Sequence, residues 1–409
     1  MQSKPQRTAS DPSFTAEEGS LVSAVDLLLG QAEAPVDISS LPTSLPEHGL
    51  SESDLLPNLA NLVLGGAQRL DGPLVFAHMD PPTPWLTWAM ALWNARLNQN
   101  LLHPATAPVA RDIETRTVAW LAPFFGMDGG HMVPGSTVAN LTALWAAREL
   151  RGVREVVAPN TAHISIEKSA KLLGLKYRAL PTDHTGRLVQ GGLGGHEDAC
   201  LVLVAGATST GAVDPLELAG VAAWTHVDAA WAGPLRLSDR YADRLDGIEH
   251  ADSVAISAHK WLFQPKESAL VFFRDTSVAH AALSFGSAYL AAPNVGLLGS
   301  HGATAVPLFA TLMAWGRNGL ASRLNNCMAA ADRFAFFVEE DRRLELLCHP
   351  VTGVVCWRPL AKSVAELAAA LPSGLASQTK LNGKDWLRCV AANPNADVES
   401  IISTVSEVL

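Results

Sequence analysis

His226-Val227-Asp228-Ala229-Ala230-Trp231 and Ser257-Ala258-His259-Lys260-Trp261 are the two stretches on which the reading of this chain turns. Each closes a short apolar run, 225–228 and 254–257, with the composition of a strand buried on both faces. Asp228 and Lys260 therefore stand at the ends of predicted strands.

The pairing has a chemical meaning. A lysine amine condenses with an aldehyde, and a carboxylate holds a proton on a pyridine nitrogen. Those are the two groups a pyridoxal phosphate site needs. The protonated ring accepts the electron pair left when a bond at an amino-acid Cα breaks. Taken singly, Lys260 also reads as a surface lysine with a snorkelling stem, and Asp228 as a carboxylate paired with an arginine or a backbone cap.

Outward from these motifs the same pattern repeats. Further strand candidates are 155–158, 177–180, 201–205 and 269–273, and 137–149 and 164–173 carry apolar residues at helical spacing. This alternation predicts an α/β domain with a mainly parallel sheet between helices, and ligands in such sheets bind at the carboxyl ends of the strands. Upstream, 21–70 reads as helix in pieces with a proline-rich break at 35–46. Pro81-Pro82-Thr83-Pro84 forces a turn or extended stretch before helical patterns at 85–98 and 113–125. Downstream, a glycine-rich joint at 296–302 precedes a long helix over 303–339. Strand-like runs at 353–358 and 386–391, with helices near 362–370 and 397–408, form an α+β end. The expected division is an N-terminal arm (1–70), a large domain (71–315) and a small C-terminal domain (316–409).

Composition agrees with an enzyme-sized globular chain of 409 residues, 48% hydrophobic and 17% charged. The net charge of −10 and the lack of a Lys/Arg block argue against nucleic acid or an anionic membrane as partner. No run reaches the ~18 apolar residues of a membrane helix, and residues 1–20 lack the apolar core of a secretory signal. The five cysteines show no CxxC spacing, which fits reduced thiols in the cytoplasm better than disulfides or a metal site.

Other candidate residues follow strands in the same way. Gly135-Ser136-Thr137 opens a predicted helix, whose free N–H groups bind a phosphate or are capped by the hydroxyls. His163, after Pro159-Asn160-Thr161-Ala162, can lie flat on an aromatic ring or is a loop histidine. Thr208 and Thr210 lie in a loop that offers hydroxyls to a ligand or forms a glycine-rich turn.

Together these segments resemble the group II pyridoxal phosphate-dependent amino-acid decarboxylases. The matching stretches are GSTVANLTALWAARE (135–149), AHISIEKSAKLLGL (162–175), AGATSTGAVDP (205–215), HVDAAWAGP (226–234) and SAHKWL (257–262); FAHMDPPTP (76–84) and HPATAPVARDIE (103–114) look like substrate-side segments. The resemblance implies the aspartate-aminotransferase-type fold, fold type I, in a homodimer with active sites at the interface. It makes Lys260 the cofactor lysine, Asp228 the partner of the ring nitrogen and His163 the stacking group. Ser136, Thr137 and His259 would hold the phosphate, Ala230 the opposite ring face, and Thr208 the ring hydroxyl or the substrate carboxylate. The chain departs from the family in three places. Ser257-Ala258 stands where Asn-Pro is common, leaving Ser257 beside the phosphate. His301 falls where an Arg is common. The loop over 286–302 is short, and Tyr289 is the tyrosine available to return a proton to Cα.

The implied reaction is decarboxylation of an L-amino acid to amine and carbon dioxide. The alternatives on the same scaffold are an aminotransferase, an oxidative, aldehyde-forming deaminase, or a lyase acting on a phosphorylated amino alcohol. A non-enzymatic module would need Lys260 to be an ordinary lysine.

Overall fold

A computed structural model describes residues 18–30, 39, 41–192, 194–288, 290 and 294–409. Two compact units result, Met1–Arg69 and Leu70–Leu409. In the first, helices α1 (Glu18–Leu29) and α2 (Glu52–Val63) pack on each other, and the Ser51 hydroxyl caps α2 by accepting from the Asp54 N–H. Part of the expected break at 35–46 lies outside the described residues.

The second unit begins with α3 (Trp85–Leu97) and α4 (Pro108–Leu121). The expected helix at 113–125 thus starts earlier, because Pro108 at its first turn needs no N–H partner and is pre-set for a helix start. A single 3₁₀ turn replaces its predicted end.

The large sheet contains β1 (Gly129–Val133), β2 (Glu155–Pro159), β3 (Lys176–Leu180), β4 (Cys200–Val204), β5 (Trp224–Asp228), β6 (Ser253–Ser257) and β7 (Ala269–Phe273). Its order is β1-β7-β6-β5-β4-β2-β3. Strands β3, β2, β4, β5 and β6 run parallel, while β7 is antiparallel to both β6 and β1. Helices α5 (Ser136–Arg151), α6 (Ile164–Leu172) and α7 (Thr276–Ala282) lie on one face. Every residue of β4 to β7 is buried. Alternate residues enter two separate cores: Leu201, Leu203, Val227 and Ile256 on one side, Cys200, Val202 and Ala255 on the other. Covering both faces is what makes these strands read as unbroken apolar runs.

Strand β1 escapes that reading because it begins Gly129-Gly130-His131. The glycine is required: at φ 152° a Cβ on Gly130 would sit 1.9 Å from the Val271 carbonyl oxygen on β7. A two-stranded ribbon of β8 (Ser284–Phe285) and β9 (Asn294–Val295) follows.

Helix α8 (Ala305–Glu340) bends at Gly316, whose φ of 60° and ψ of −177° are not helical. Beyond it, β10 (Leu344–Leu346), β11 (Val354–Pro359), β12 (Ser377–Leu381) and β13 (Lys384–Val390) form an antiparallel sheet in the order β10-β11-β13-β12. Helices α9 (Val364–Ala370) and α10 (Val398–Val408) complete the chain, α9 opening on a Ser363/Glu366 capping box. This is the α/β architecture expected, a large mainly parallel sheet with a small α+β end.

Candidate active site

The end of β5 delivers Asp228, and the turn after β6 delivers His259 and Lys260. The two segments are tied by backbone: the Ser257 N–H donates to the Ala230 carbonyl at 3.3 Å, and the Lys260 N–H to the Ser257 carbonyl at 3.3 Å. A further bond at 3.0 Å from the His259 N–H to the Ser268 carbonyl fixes the turn against the start of β7.

The Lys260 amine makes no hydrogen bond or ion pair with the described residues. Burial lowers its pKa; Asp228 and Asp80 act in the opposite sense, and Lys266 and Arg388 add to the depression. An amine in this setting loses its proton more readily than a solvated lysine does, which favours its action as a nucleophile.

Asp228 is buried. Its Oδ1 accepts from the Ala230 N–H at 3.2 Å and its Oδ2 from the Asn140 amide at 3.0 Å. Ala230 is buried on the same turn. His163 caps α6: its Nδ1 accepts from the Ser165 N–H at 3.2 Å and lies 2.8 Å from the Ser165 Oγ. His163 is exposed; desolvation lowers its pKa, Asp228 raises it, and Lys260 lowers it.

Helix α5 begins at Ser136, after Gly135 at φ 142°. A Cβ on Gly135 would point at the His259 ring, 3.9 Å from Cε1, so the helix N-terminus and His259 face one space. Ser136 is half-buried and Thr137 exposed there. The polar groups around this space are incompletely satisfied. Ser257 Oγ, Ser268 Oγ and His259 Nδ1 are buried without a partner, and leaving such a group unpaired costs about 1–3 kcal/mol. His259 is held neutral by burial and by the neighbouring Lys266 and Lys260, its pKa lowered to about 4.

Three charged residues that the motifs did not single out complete the surroundings. Lys266 pairs with Asp80. Arg388, on β13, donates to the Thr208 carbonyl at 2.9 Å, has no carboxylate partner among the described residues, and keeps Nε buried and unpaired. Thr208 therefore meets Arg388 through its backbone. Thr210 closes a turn by accepting from the Ala212 N–H. Asn140 was also missed, although a buried polar residue beside Ala139 and Ala143 on the inner side of α5 is a readable signal. Tyr289 lies outside the described residues, and His301 accompanies Arg111 and Glu114 around a separate cavity of about 480 Å³. Among the described residues there is no cluster able to hold a metal ion, and no helix long and apolar enough to cross a membrane.

Comparison with known proteins identifies the family and the fold. The family model described as "Pyridoxal-dependent decarboxylase conserved domain" matches residues 35–359. The chain is 30% identical over 417 residues to L-2,4-diaminobutyrate decarboxylase of Rhizobium meliloti, covering 89% of this chain and 83% of that one. It is 28% identical over 392 residues to aspartate 1-decarboxylase of Aliivibrio fischeri, covering 80% and 71%. The crystal structure of mouse CSAD in apo form shares the fold, with a TM-score of 0.84 at 23% identity over 97% of this chain and 98% of that one. The chain belongs to the pyridoxal-dependent decarboxylase family. It is a pyridoxal phosphate-dependent amino-acid decarboxylase, and pyridoxal phosphate is its cofactor.

Proposed function

We propose that the enzyme converts an L-amino acid to the corresponding amine and carbon dioxide, with Lys260 as the cofactor lysine. The observation that carries this reading is the half-buried Lys260 amine, without a partner among the described residues, on the turn that also carries the orphaned Ser257 Oγ and His259 Nδ1, with Asp228 acting on its charge. These residues fit the cofactor. The α5 N-terminus with Ser136, Thr137, Ser257 and His259 suits a phosphate. Asp228 suits a protonated ring nitrogen, and His163 and Ala230 suit the two ring faces. When bound, pyridoxal phosphate supplies an aldehyde for the amine and an electron-accepting ring.

The residues of this chain do the rest. Lys260 gives its place to the substrate amine and stays close enough to exchange protons. Asp228 holds the ring-nitrogen proton. Arg388, lacking a carboxylate partner, takes a substrate carboxylate, and Thr208 fixes Arg388 through its backbone oxygen. Tyr289 is the proposed donor of the proton that replaces the departing carboxylate at Cα, on resemblance alone.

We further propose a homodimer. Trp85, Trp88, Leu92 and Trp93 on α3 are exposed, and covering them would stabilise an assembly. The large and small domains are proposed to join at Gly316. Free cysteines support a cytoplasmic location. The test of the reaction is a screen of the common amino acids with 2,4-diaminobutyrate and cysteine sulfinate, following carbon dioxide, amine, ammonia and aldehyde together. Equal yields of carbon dioxide and amine are expected from one substrate class; ammonia and aldehyde in place of amine would overturn the assignment.

A further inference from the structure

Behind Asp228 runs an unbroken series of buried polar groups drawn from β5, β6, α5 and α6. The Trp224 Nε1–H donates to the Ser253 Oγ at 2.9 Å, and that oxygen lies 2.9 Å from His226 Nδ1. The other ring nitrogen, His226 Nε2, lies 2.9 Å from Asn140 Oδ1. Asn140 Nδ2 reaches both Asp228 Oδ2 at 3.0 Å and Ser165 Oγ at 2.9 Å. Ser165 continues to His163 Nδ1. Asn140, His226 and Ser253 are each 0% exposed, so no water takes over the bonds that join these three.

The chemistry of the groups gives the series one direction. A carboxylate only accepts, so Asn140 must turn its NH₂ toward Asp228 and its carbonyl toward His226. That carbonyl only accepts, so His226 carries its proton on Nε2. Burial keeps this ring neutral, with a pKa lowered to about 4, so Nδ1 is bare and takes the Ser253 hydroxyl proton. Ser253 then accepts from the Trp224 indole, which can only donate. On the other branch Ser165 accepts from Asn140 and donates to His163 Nδ1, which leaves the His163 proton on Nε2. From Trp224 to Asp228 every bond in the series has a donor facing an acceptor. The opposite direction requires Asp228 to donate.

We propose that Asn140, held by His226, is a positioning residue that presents Asp228 as an acceptor to the cofactor nitrogen. Asn140 touches neither substrate nor cofactor. It acts through Asp228, while its second amide hydrogen is taken up by Ser165 Oγ. His226 supports Asn140 by satisfying its carbonyl: without a donor at Nε2 that oxygen is buried and unpaired, and the amide loses one of the bonds that hold it against Asp228. The proposal rests on the reading of Asp228 as partner of the ring nitrogen.

The first test needs no variant. Nitrogen-15 NMR of histidine-labelled apoprotein at neutral pH is expected to show His226 as the Nε2–H tautomer; an Nδ1–H tautomer would overturn the proposed direction. The second compares cofactor dissociation constants. Asn140→Leu and His226→Leu are each expected to weaken pyridoxal phosphate binding about ten- to a hundredfold, the range for losing a hydrogen bond to a charged group. His226→Gln, which retains an N–H for the Asn140 carbonyl, is expected to stay within a few-fold of the parent. In Asn140→Leu, kcat should fall with little change in the KM for the amino acid. Unchanged cofactor affinity in a folded Asn140→Leu protein would refute the positioning role. Asp228→Asn is run alongside: if it too leaves affinity unchanged, the reading of Asp228 itself has failed, whereas a loss in Asp228→Asn alone refutes only the role of Asn140.

Discussion

Trp231 and Trp261 stack with ring centroids 4.0 Å apart and planes inclined by 27°. One ring belongs to the Asp228 motif and the other to the Lys260 motif. Each indole also donates to the C-terminal part of the chain, Trp231 to the Thr352 carbonyl at 2.7 Å and Trp261 to the Ala391 carbonyl at 3.1 Å. The pair therefore joins the two site segments to each other and to the region of the small sheet. Gly353 makes room for it: at φ 71°, a Cβ there would meet the Trp261 ring at 2.9 Å.

Trp261→Ala should destabilise the protein by about 3–5 kcal/mol, the usual cost of removing a fully buried aromatic ring. Urea unfolding of the apoprotein measures it. A change below about 1 kcal/mol would show that the stack is dispensable for folding.

Arg388→Gln should raise the KM for the amino acid about ten- to a hundredfold, because a bond to a charged carboxylate contributes about 1.5–3 kcal/mol. Steady-state kinetics check this. An unchanged KM would mean that the carboxylate is bound elsewhere.

Acid should destabilise the fold before its carboxylates titrate. His226 and His259 have pKa values lowered to about 4, and His131 to about 3, chiefly by burial. The unfolded chain, with imidazoles near about 6.5, binds more protons in this range. Their stabilising contribution is thus present above about pH 6.5 and is lost as pH falls towards 4. His226 alone accounts for about 2 kcal/mol between about pH 7 and pH 5. Apoprotein stability measured at both pH values should fall, and by less in His226→Gln. Equal loss in the two proteins would show that His226 protonates freely in the fold.

The dimer should be visible in solution. Light scattering of the purified protein at micromolar concentration is expected to give twice the 43.3 kDa chain mass, and replacing Trp85 and Trp88 with serine should weaken the association. A fully active species of single-chain mass would remove the dimer.

What the sequence made legible follows from what each element buries. Strands β4 to β7 are covered on both faces, so the runs 201–205, 225–228, 254–257 and 269–273 announce themselves and lie within a residue of the observed strands. Strand β12 alternates between half-buried and exposed residues and has no apolar run to read. The site divides in the same manner. Asp228 and Lys260 end legible strands and carry their chemistry in their residue type. Asn140 shows locally only as a polar residue on the apolar side of a helix; its role, like that of Arg388, comes from a partner distant in sequence, Asp228 at 88 residues and Thr208 at 180, and no local pattern encodes such a contact. Asp80 and Lys266, 186 residues apart, were missed for the same reason.

The central claim is that Lys260 is the residue joined to pyridoxal phosphate. Borohydride reduction of the holoenzyme, followed by digestion and peptide mass mapping, tests it directly. The pyridoxyl group is predicted on the peptide that contains Lys260 and on no other, with no label in a folded Lys260→Ala protein. Label on a different lysine, or label persisting in that variant, would contradict the account.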